Sequence, residues 1–277
     1  MYTIKKIEFI EWEEKWQKCR HVNLLQSWQY GDAKKNVENW FTYRFVILDE
    51  NKDEIALTQI LVKRIPILGS IARINRGPLI IGKIKENQNR GLITLRAIKA
   101  LVIESKNRGW RMVQIAPELK KEEGVVNYLT NLGFRQLSSP PWASGLVSLD
   151  PSEDELLMML NGKWRNCLRK GWRLEISINK PHVNAESLKI VINNYKKLKR
   201  DKSFSGISES LIRILAMQNG NKWGFNLFVA TEKGSDEPIG TLVSVCYGNT
   251  SIYLIGTTNS RGRKLNANYV LLWEAIL

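Results

Sequence analysis

The sequence predicts an α/β (α+β) fold of two tandem lobes, each a mixed sheet flanked by helices, with the second lobe incomplete at its C-terminal end. Three observations predict it. A strand, hairpin, strand and helix pattern occurs twice, offset by roughly 180 residues. At 277 residues the chain is long enough for two lobes that each bury a core. After its helix the first copy carries further elements that the second lacks. The division is expected at Asp150-Pro151, giving lobes over 1–150 and 151–277.

The first copy opens on YRFVILDE, turns through Asn51, Lys52 and Asp53, and returns as EIALTQILVKRI. A short strand, IARINRG, follows. Apolar residues Leu92, Leu95, Ile98, Leu101 and Val102 then recur at helical spacing and predict a helix over about 89–108. Next come a strand (RMVQIAPE), a helix over roughly 121–131 ending at Gly133, and a last strand (GLVSLD).

Pro140-Pro141 and Asp150-Pro151 punctuate the junction. Pro151 and Ser152 open one predicted helix, SEDELLMMLNGKWRNCLRKG, on which Leu156, Leu160, Trp164, Cys167 and Leu168 share a face. Trp164, Cys167 and Leu168 read as core. The second copy runs FNLFVATEK, the turn GSDEP, IGTLVSVCY, a Gly248-Asn249 turn and SIYLIGTTN. NANYVLLWEAIL then forms a helix with Asn266 as N-cap. The chain stops inside this helix, where a half-sheet would keep an open edge, so the sequence reads as a C-terminally truncated copy of a longer protein.

Composition excludes several classes. No run of eighteen apolar residues suits a membrane span, and MYTIKKIEFIEWEEKWQK does not read as a signal peptide. Cys19, Cys167 and Cys246 are odd in number and far apart, which reads as reduced thiols in a cytosolic protein rather than a disulfide framework. With only His21 and His182, a histidine-ligated metal or a Ser/His triad is not expected. No GxxxxGK[ST] loop, HExxH or CxxC pair occurs.

Charge is the informative feature. Lys and Arg number 42 against 27 acids, a formal net charge of +15, which points to nucleic acid, an anionic membrane or a phosphorylated substrate. Nine bases and one acid lie between Lys63 and Lys99, and five bases without an acid between Lys163 and Arg173. Lys196, Lys197, Lys199, Arg200 and Lys202 form a third cluster.

Three segments could carry chemistry. Arg261, Arg263 and Lys264 form a basic loop running into a predicted helix N-terminus, where free amides and the helix dipole favour an anion. In KWRNCLRKGWR, Arg165, Arg169 and Arg173 fall at i, i+4 and i+8, a guanidinium stripe suited to a diphosphate. LLQSWQYGDAKK places Lys34 and Lys35 after Trp28 and Tyr30, which read as packing residues. An enzyme of this composition would position two substrates and stabilise charge rather than form a covalent intermediate.

Several segments in order resemble the Fem (FemABX) family of peptidoglycan-bridge aminoacyltransferases, built from two GNAT-like lobes. They are Leu25-Gln26-Ser27 with Tyr30 and Lys34; Arg76-Gly77-Pro78; Lys163-Trp164-Arg165-Asn166 with Arg169 and Lys170; and Tyr253, Gly256-Thr257-Thr258-Asn259, Asn266-Ala267-Asn268-Tyr269 and Leu272-Trp273-Glu274. The resemblance implies transfer of an amino acid from aminoacyl-tRNA, as co-substrate, to the amine of a peptidoglycan-precursor stem peptide. It implies that Lys34 or Lys35, with Arg165, holds the phosphates of UDP-MurNAc-pentapeptide or a lipid-linked equivalent. Lys163, Arg169, Tyr253 and Asn268 join them as substrate-binding candidates. Arg261, Arg263, Lys264 and Asn266 are the anion or acyl-donor loop. GNAT enzymes place the CoA pyrophosphate at this topological point on a Gly-rich loop; here Arg261-Gly262-Arg263-Lys264-Leu265-Asn266 puts side chains where that loop needs close backbone approach. The family's coiled-coil arm for tRNA has no counterpart heptad run here. Neither a metal nor a cofactor is expected, and the location is cytoplasmic, with peripheral contact to an anionic membrane. The alternatives are an acyl-CoA-dependent N-acyltransferase and a non-enzymatic binder of anions or nucleic acid.

Overall fold

The computed structural model describes residues 2–82, 89–139, 143–174 and 176–277. The chain divides into two units: Met1–Ser139 with Met217–Lys222 and Tyr247–Thr250, and Pro140–Ala216 with Trp223–Cys246 and Ser251–Leu277.

In the first unit, β1 (Thr3–Lys6), α1 (Phe9–Trp16), a 3-10 turn at Leu24–Gln26 and α2 (Trp28–Glu38) precede the predicted hairpin of β2 (Phe41–Leu48) and β3 (Glu54–Ile65). β4 (Gly69–Asn75), β5 (Leu79–Ile80), α3 (Arg90–Asn107), β6 (Met112–Ala116) and α4 (Glu123–Asn131) follow. The sheet order is β1-β2-β3-β4-β6, with β5 on β3. All these pairs are antiparallel except β4 with β6, which are parallel across α3.

β3 is buried from Ala56 to Val62 because both of its faces are covered. Ala56, Ile60 and Val62 join Phe45, Ile47, Ile74 and Leu101 in the core under α3. On the opposite face lies a polar network invisible to periodicity. Gln26 Nε2 donates to the carbonyls of Gln59 (3.1 Å) and Asn75 (2.7 Å), and Gln59 N–H donates to Gln26 Oε1 (2.8 Å). Arg44 donates to Gln59 Oε1 (2.9 Å), Asp32 Oδ1 (2.7 Å) and the Trp28 carbonyl (2.9 Å). Its guanidinium also sits 3.5 Å above the Trp28 ring. A network satisfied this fully fixes α2 on the sheet. It accounts structurally for the Leu25-Gln26-Ser27 motif, in which Ser27 caps α2 through Tyr30 N–H.

In the second unit, α5 (Glu153–Met159), α6 (Gly162–Arg173), β7 (Ile176–Asn179), α7 (Ala185–Lys202) and α8 (Glu209–Ala216) precede the second hairpin. That hairpin is β8 (Gly224–Glu232) and β9 (Pro238–Tyr247), followed by β10 (Thr250–Thr258), α9 (Ser260–Lys264) and α10 (Ala267–Ile276). The sheet order is β10-β9-β8-β7. Phe228, Ile239, Leu242, Leu265 and Leu271 form its core, and Leu156, Leu168, Val270 and Trp273 join α5, α6 and α10. A side chain at Gly171 would approach Val270 Cγ2 to 2.6 Å, so this glycine lets α6 lie against α10.

Four expectations are corrected. The helix predicted from Ser152 is two helices. Ser152 does make a capping box with Glu155, but Leu160 turns extended, and Asn161 starts a new helix by accepting from Lys163 N–H (2.9 Å). A second N-cap, Asn161, followed by Gly162, competes with continuation. The segment GLVSLD is not a strand: Leu146, Val147 and Leu149 are exposed and pair with no sheet. Asn266 takes the N-cap position of α10 at φ +61°, but its side chain makes no cap hydrogen bond. The basic stretch before it is the helix α9, not an open loop. On α3, Leu95, Ile98 and Leu101 are buried as the spacing predicts, whereas Leu92 is exposed. Pro140-Pro141 and the Lys83, Lys85 and Glu86 part of the first charge cluster lie outside the described residues. Among the described residues, no helix is long and apolar enough to cross a membrane.

Candidate functional site

β9, β10, α7 and α10 of the second unit enclose a cleft of about 540 Å3. It gathers four residues that the sequence reading placed in two separate sets: Tyr253, Arg263, Asn266 and Asn268. It also gathers Thr241, which that reading missed, with Tyr269, named there only in a motif, and Lys202 at the end of α7, named there only in a basic cluster. Lys202 arrives from a helix more than fifty residues upstream in sequence, which spacing cannot reveal.

At the base of the cleft, Thr241 and Thr257 share a hydrogen bond of 2.7 Å between adjacent strands. Tyr253 lies along β10 with about half of its surface exposed. Its phenol occupies the space that a Cβ on Gly256 would need, so the Gly256-Thr257-Thr258 run serves close approach. Burial, and next the neighbouring Tyr195, raise the Tyr253 phenol above its ordinary value. The Tyr269 phenol is raised by its hydrogen bond with Cys167 and the charge that thiol would carry. Both phenols are therefore donors at neutral pH. Two cations, two carboxamides and these phenols line the cleft, and among the described residues no carboxylate or histidine does so. Such a site can stabilise developing negative charge on a carbonyl oxygen. Among the described residues it has no side chain of the usual general-base type.

The adjoining basic segment is largely spoken for. Asn259 Oδ1 accepts from Gly262 N–H (2.8 Å), and the Asn259 carbonyl accepts from Arg263 N–H (3.1 Å). A Cβ on Gly262 would collide with the Ile239 carbonyl oxygen, so that glycine seats α9 on β9. Glu232 holds Arg261 bidentately (2.8 and 2.6 Å), and Arg263 donates to the Thr258 carbonyl (2.8 Å). Lys264 is exposed. The Gly262 and Arg263 amides and the Arg261 guanidinium, which would cradle a pyrophosphate here, already have partners.

On α6, Lys163, Arg169, Lys170 and Arg173 are exposed. Arg165 is half-buried, and its Nη1 donates to the Met158 carbonyl (3.0 Å), capping α5. None of these lines the cleft. Trp164 stacks edge-on against Tyr269, with 5.3 Å between centroids.

In the first unit, Lys34 and Lys35 part company: Lys35 is exposed, while Lys34 pairs with Glu38. Trp40 is buried beneath three cations, with Arg73 at 5.2 Å, Lys63 at 5.6 Å and Lys34 at 5.8 Å from its ring. Glu38 also accepts from Trp40 Nε1 (3.2 Å). Burial pushes the Glu38 carboxyl up, but Lys34, Trp40 and Lys63 outweigh it and hold it below its usual range. Beside this group, burial and the Glu38 charge push the Tyr30 phenol up to about 12. The folded chain thus builds a second positive centre from residues 34, 63 and 73, with one carboxylate against three cations.

The whole chain resembles two solved structures. FemX matches with a TM-score of 0.73 over 98% of this chain and 85% of its own, at 14% identity. A tandem GNAT protein from the clavulanic acid biosynthesis pathway matches with a TM-score of 0.50 over 99% of this chain and 84% of its own, at 8% identity. No protein-family model matches the sequence, and no curated protein matches it. At these identities the likeness establishes the fold alone: two tandem GNAT-like lobes.

Proposed function

We propose that this protein is an aminoacyltransferase of the FemABX type, which moves an amino acid from aminoacyl-tRNA to an amine on the stem peptide of a phosphate-bearing peptidoglycan precursor. The observation that carries this reading is the cleft on β10, rich in hydrogen-bond donors and, among the described residues, without a carboxylate, in a chain folded like FemX.

The cleft is assigned to the acyl-donor ester. Lys202 and Arg263 face the phosphates and ribose of the donor end, and the Tyr253 phenol donates to the ester carbonyl as negative charge develops there. The attacking amine forms the new C–N bond and the ester C–O bond breaks. The ammonium proton passes to the departing ribose oxygen, so the step balances within the two substrates and needs no general base from the cleft. The precursor's diphosphate is assigned to Lys34, Lys63 and Arg73 around Trp40. The donor and precursor place the reaction in the cytoplasm.

CoA is the weaker donor candidate, because the amides of Gly262 and Arg263 are already bonded within α9. The test incubates the protein with UDP-MurNAc-pentapeptide and a mixture of aminoacyl-tRNAs and reads the precursor by mass spectrometry. A gain of one amino-acid residue is expected, falling more than about tenfold in Tyr253→Phe. Unchanged precursor, together with saturable CoA binding in calorimetry, would overturn the donor assignment.

A further inference from the structure

The hairpin between β3 and β4 ends in an aliphatic tip that no packing explains. Ile67 is fully exposed and Leu68 is two-thirds exposed, with Phe41 and Met112 half-exposed beside the same strands. The tip is a three-residue turn closed by Leu68 N–H donating to the Pro66 carbonyl (2.7 Å). Ile67 at its centre has φ +68°. A β-branched residue rarely takes that conformation, because its Cβ crowds the backbone. Glycine would hold the same turn without strain, yet here the chain keeps a large apolar side chain in water.

Around the tip lies a shallow concavity of about 860 Å3, with Tyr43, Trp110, Arg64 and Arg108 in its wall and no carboxylate among its lining residues. Tyr43 and Trp110 meet edge-on at 5.2 Å. Arg64 lies 5.3 Å from the Phe41 ring, and Arg108 lies 5.0 Å from Tyr43. Arg108 is neutralised by Glu104 (2.6 Å). Arg64 remains exposed, as does Arg111, whose stem lies 3.1 Å from where a Cβ on Gly69 would sit.

We propose that this edge of the first unit docks on an anionic lipid surface, with Ile67 and Leu68 entering the headgroup region. Arg64 and Arg111 then meet lipid phosphates, and Tyr43 and Trp110 sit at the depth that amphipathic rings prefer. A single-stranded nucleic acid would also meet arginines and rings here. It is disfavoured because Ile67 and Leu68 have no π-face for a base to stack on. The surface stands independently of the proposed reaction.

The experiment is sedimentation of the full chain with vesicles of phosphatidylcholine, alone or mixed with phosphatidylglycerol, at physiological salt. Wild type is expected to bind the mixed vesicles and to bind phosphatidylcholine at least about fivefold less. Replacing both Ile67 and Leu68 by Asp is expected to weaken binding about tenfold or more, and Arg64→Glu severalfold. Ile67→Gly supplies a readout that a purely structural tip would not give: its melting temperature should rise while its vesicle binding falls. Unchanged binding in the double variant, or equal binding to both vesicle types, would overturn the proposal. So would displacement of the vesicles by a single-stranded RNA oligonucleotide through Arg64.

Discussion

The phenol of Tyr253 fills the space above Gly256, three residues further along the same strand. That contact fixes where the hydroxyl points within the β10 cleft. Gly256 has no unusual backbone angle, so Gly256→Ala is tolerated by the main chain but displaces the ring. We expect the transfer rate to fall at least about tenfold, with the melting temperature within a few degrees of wild type. Tyr253→Phe should match the loss in rate with an unchanged fold. Parallel rate assays and thermal melts check both.

Lys34 and Glu38 make stability depend on acid. The Glu38 carboxyl is held below its ordinary range in the folded chain, so its contribution is complete above the unfolded carboxylate value near about 4.3. It is lost as pH falls through the lower folded value. Lys34→Met removes the first-named opposing partner, so the acid-unfolding midpoint should move to higher pH. Stability at neutral pH should fall by no more than about 1 kcal/mol, since the pair is partly solvated. Circular dichroism against pH reads the shift.

Arg165 and Arg169 share a helix face but not a role. Arg165 satisfies the Met158 carbonyl at the end of α5, and a cation there also opposes the helix dipole. Arg165→Ala should therefore cost about 1 kcal/mol of stability. Arg169 is exposed, so Arg169→Glu should leave stability within about 0.5 kcal/mol while weakening binding of polyanionic substrates, more so at low salt. Denaturant melts and precursor titrations separate the two.

Gly262 seats the helix α9 on β9. An unconstrained helix glycine gains about 1 kcal/mol on replacement by alanine. Here the new Cβ would strike the Ile239 carbonyl oxygen, and such overpacking costs about 1–3 kcal/mol. Gly262→Ala should therefore lower the melting temperature by several degrees, which differential scanning fluorimetry would detect.

The two copies, the main hairpins and α3 were legible because each rests on local signals. The apolar runs of β2 and β3 flank turn residues, and Asn89 caps a helix whose apolar residues recur on one face. Predictions failed where a local signal had a competitor. Asn161 and Gly162 broke a helix whose apolar spacing continued through them. GLVSLD alternates like a strand, yet it pairs with no neighbour, and backbone pairing is what makes a strand.

By itself, then, the sequence determined the tandem lobes, the concentration of positive charge and the segments bearing Tyr253, Lys34 and Arg165. Only the tertiary structure decided which of those cations act alone and which are already paired. Arg261 of α9 is claimed by Glu232 at the end of β8, Arg165 by a helix end, and Lys34 by Glu38 within a cluster completed by Lys63 and Arg73. Charge composition is additive along a chain and can be counted. The field at a site depends on distances of a few ångströms and on burial, which exist only once the chain has folded.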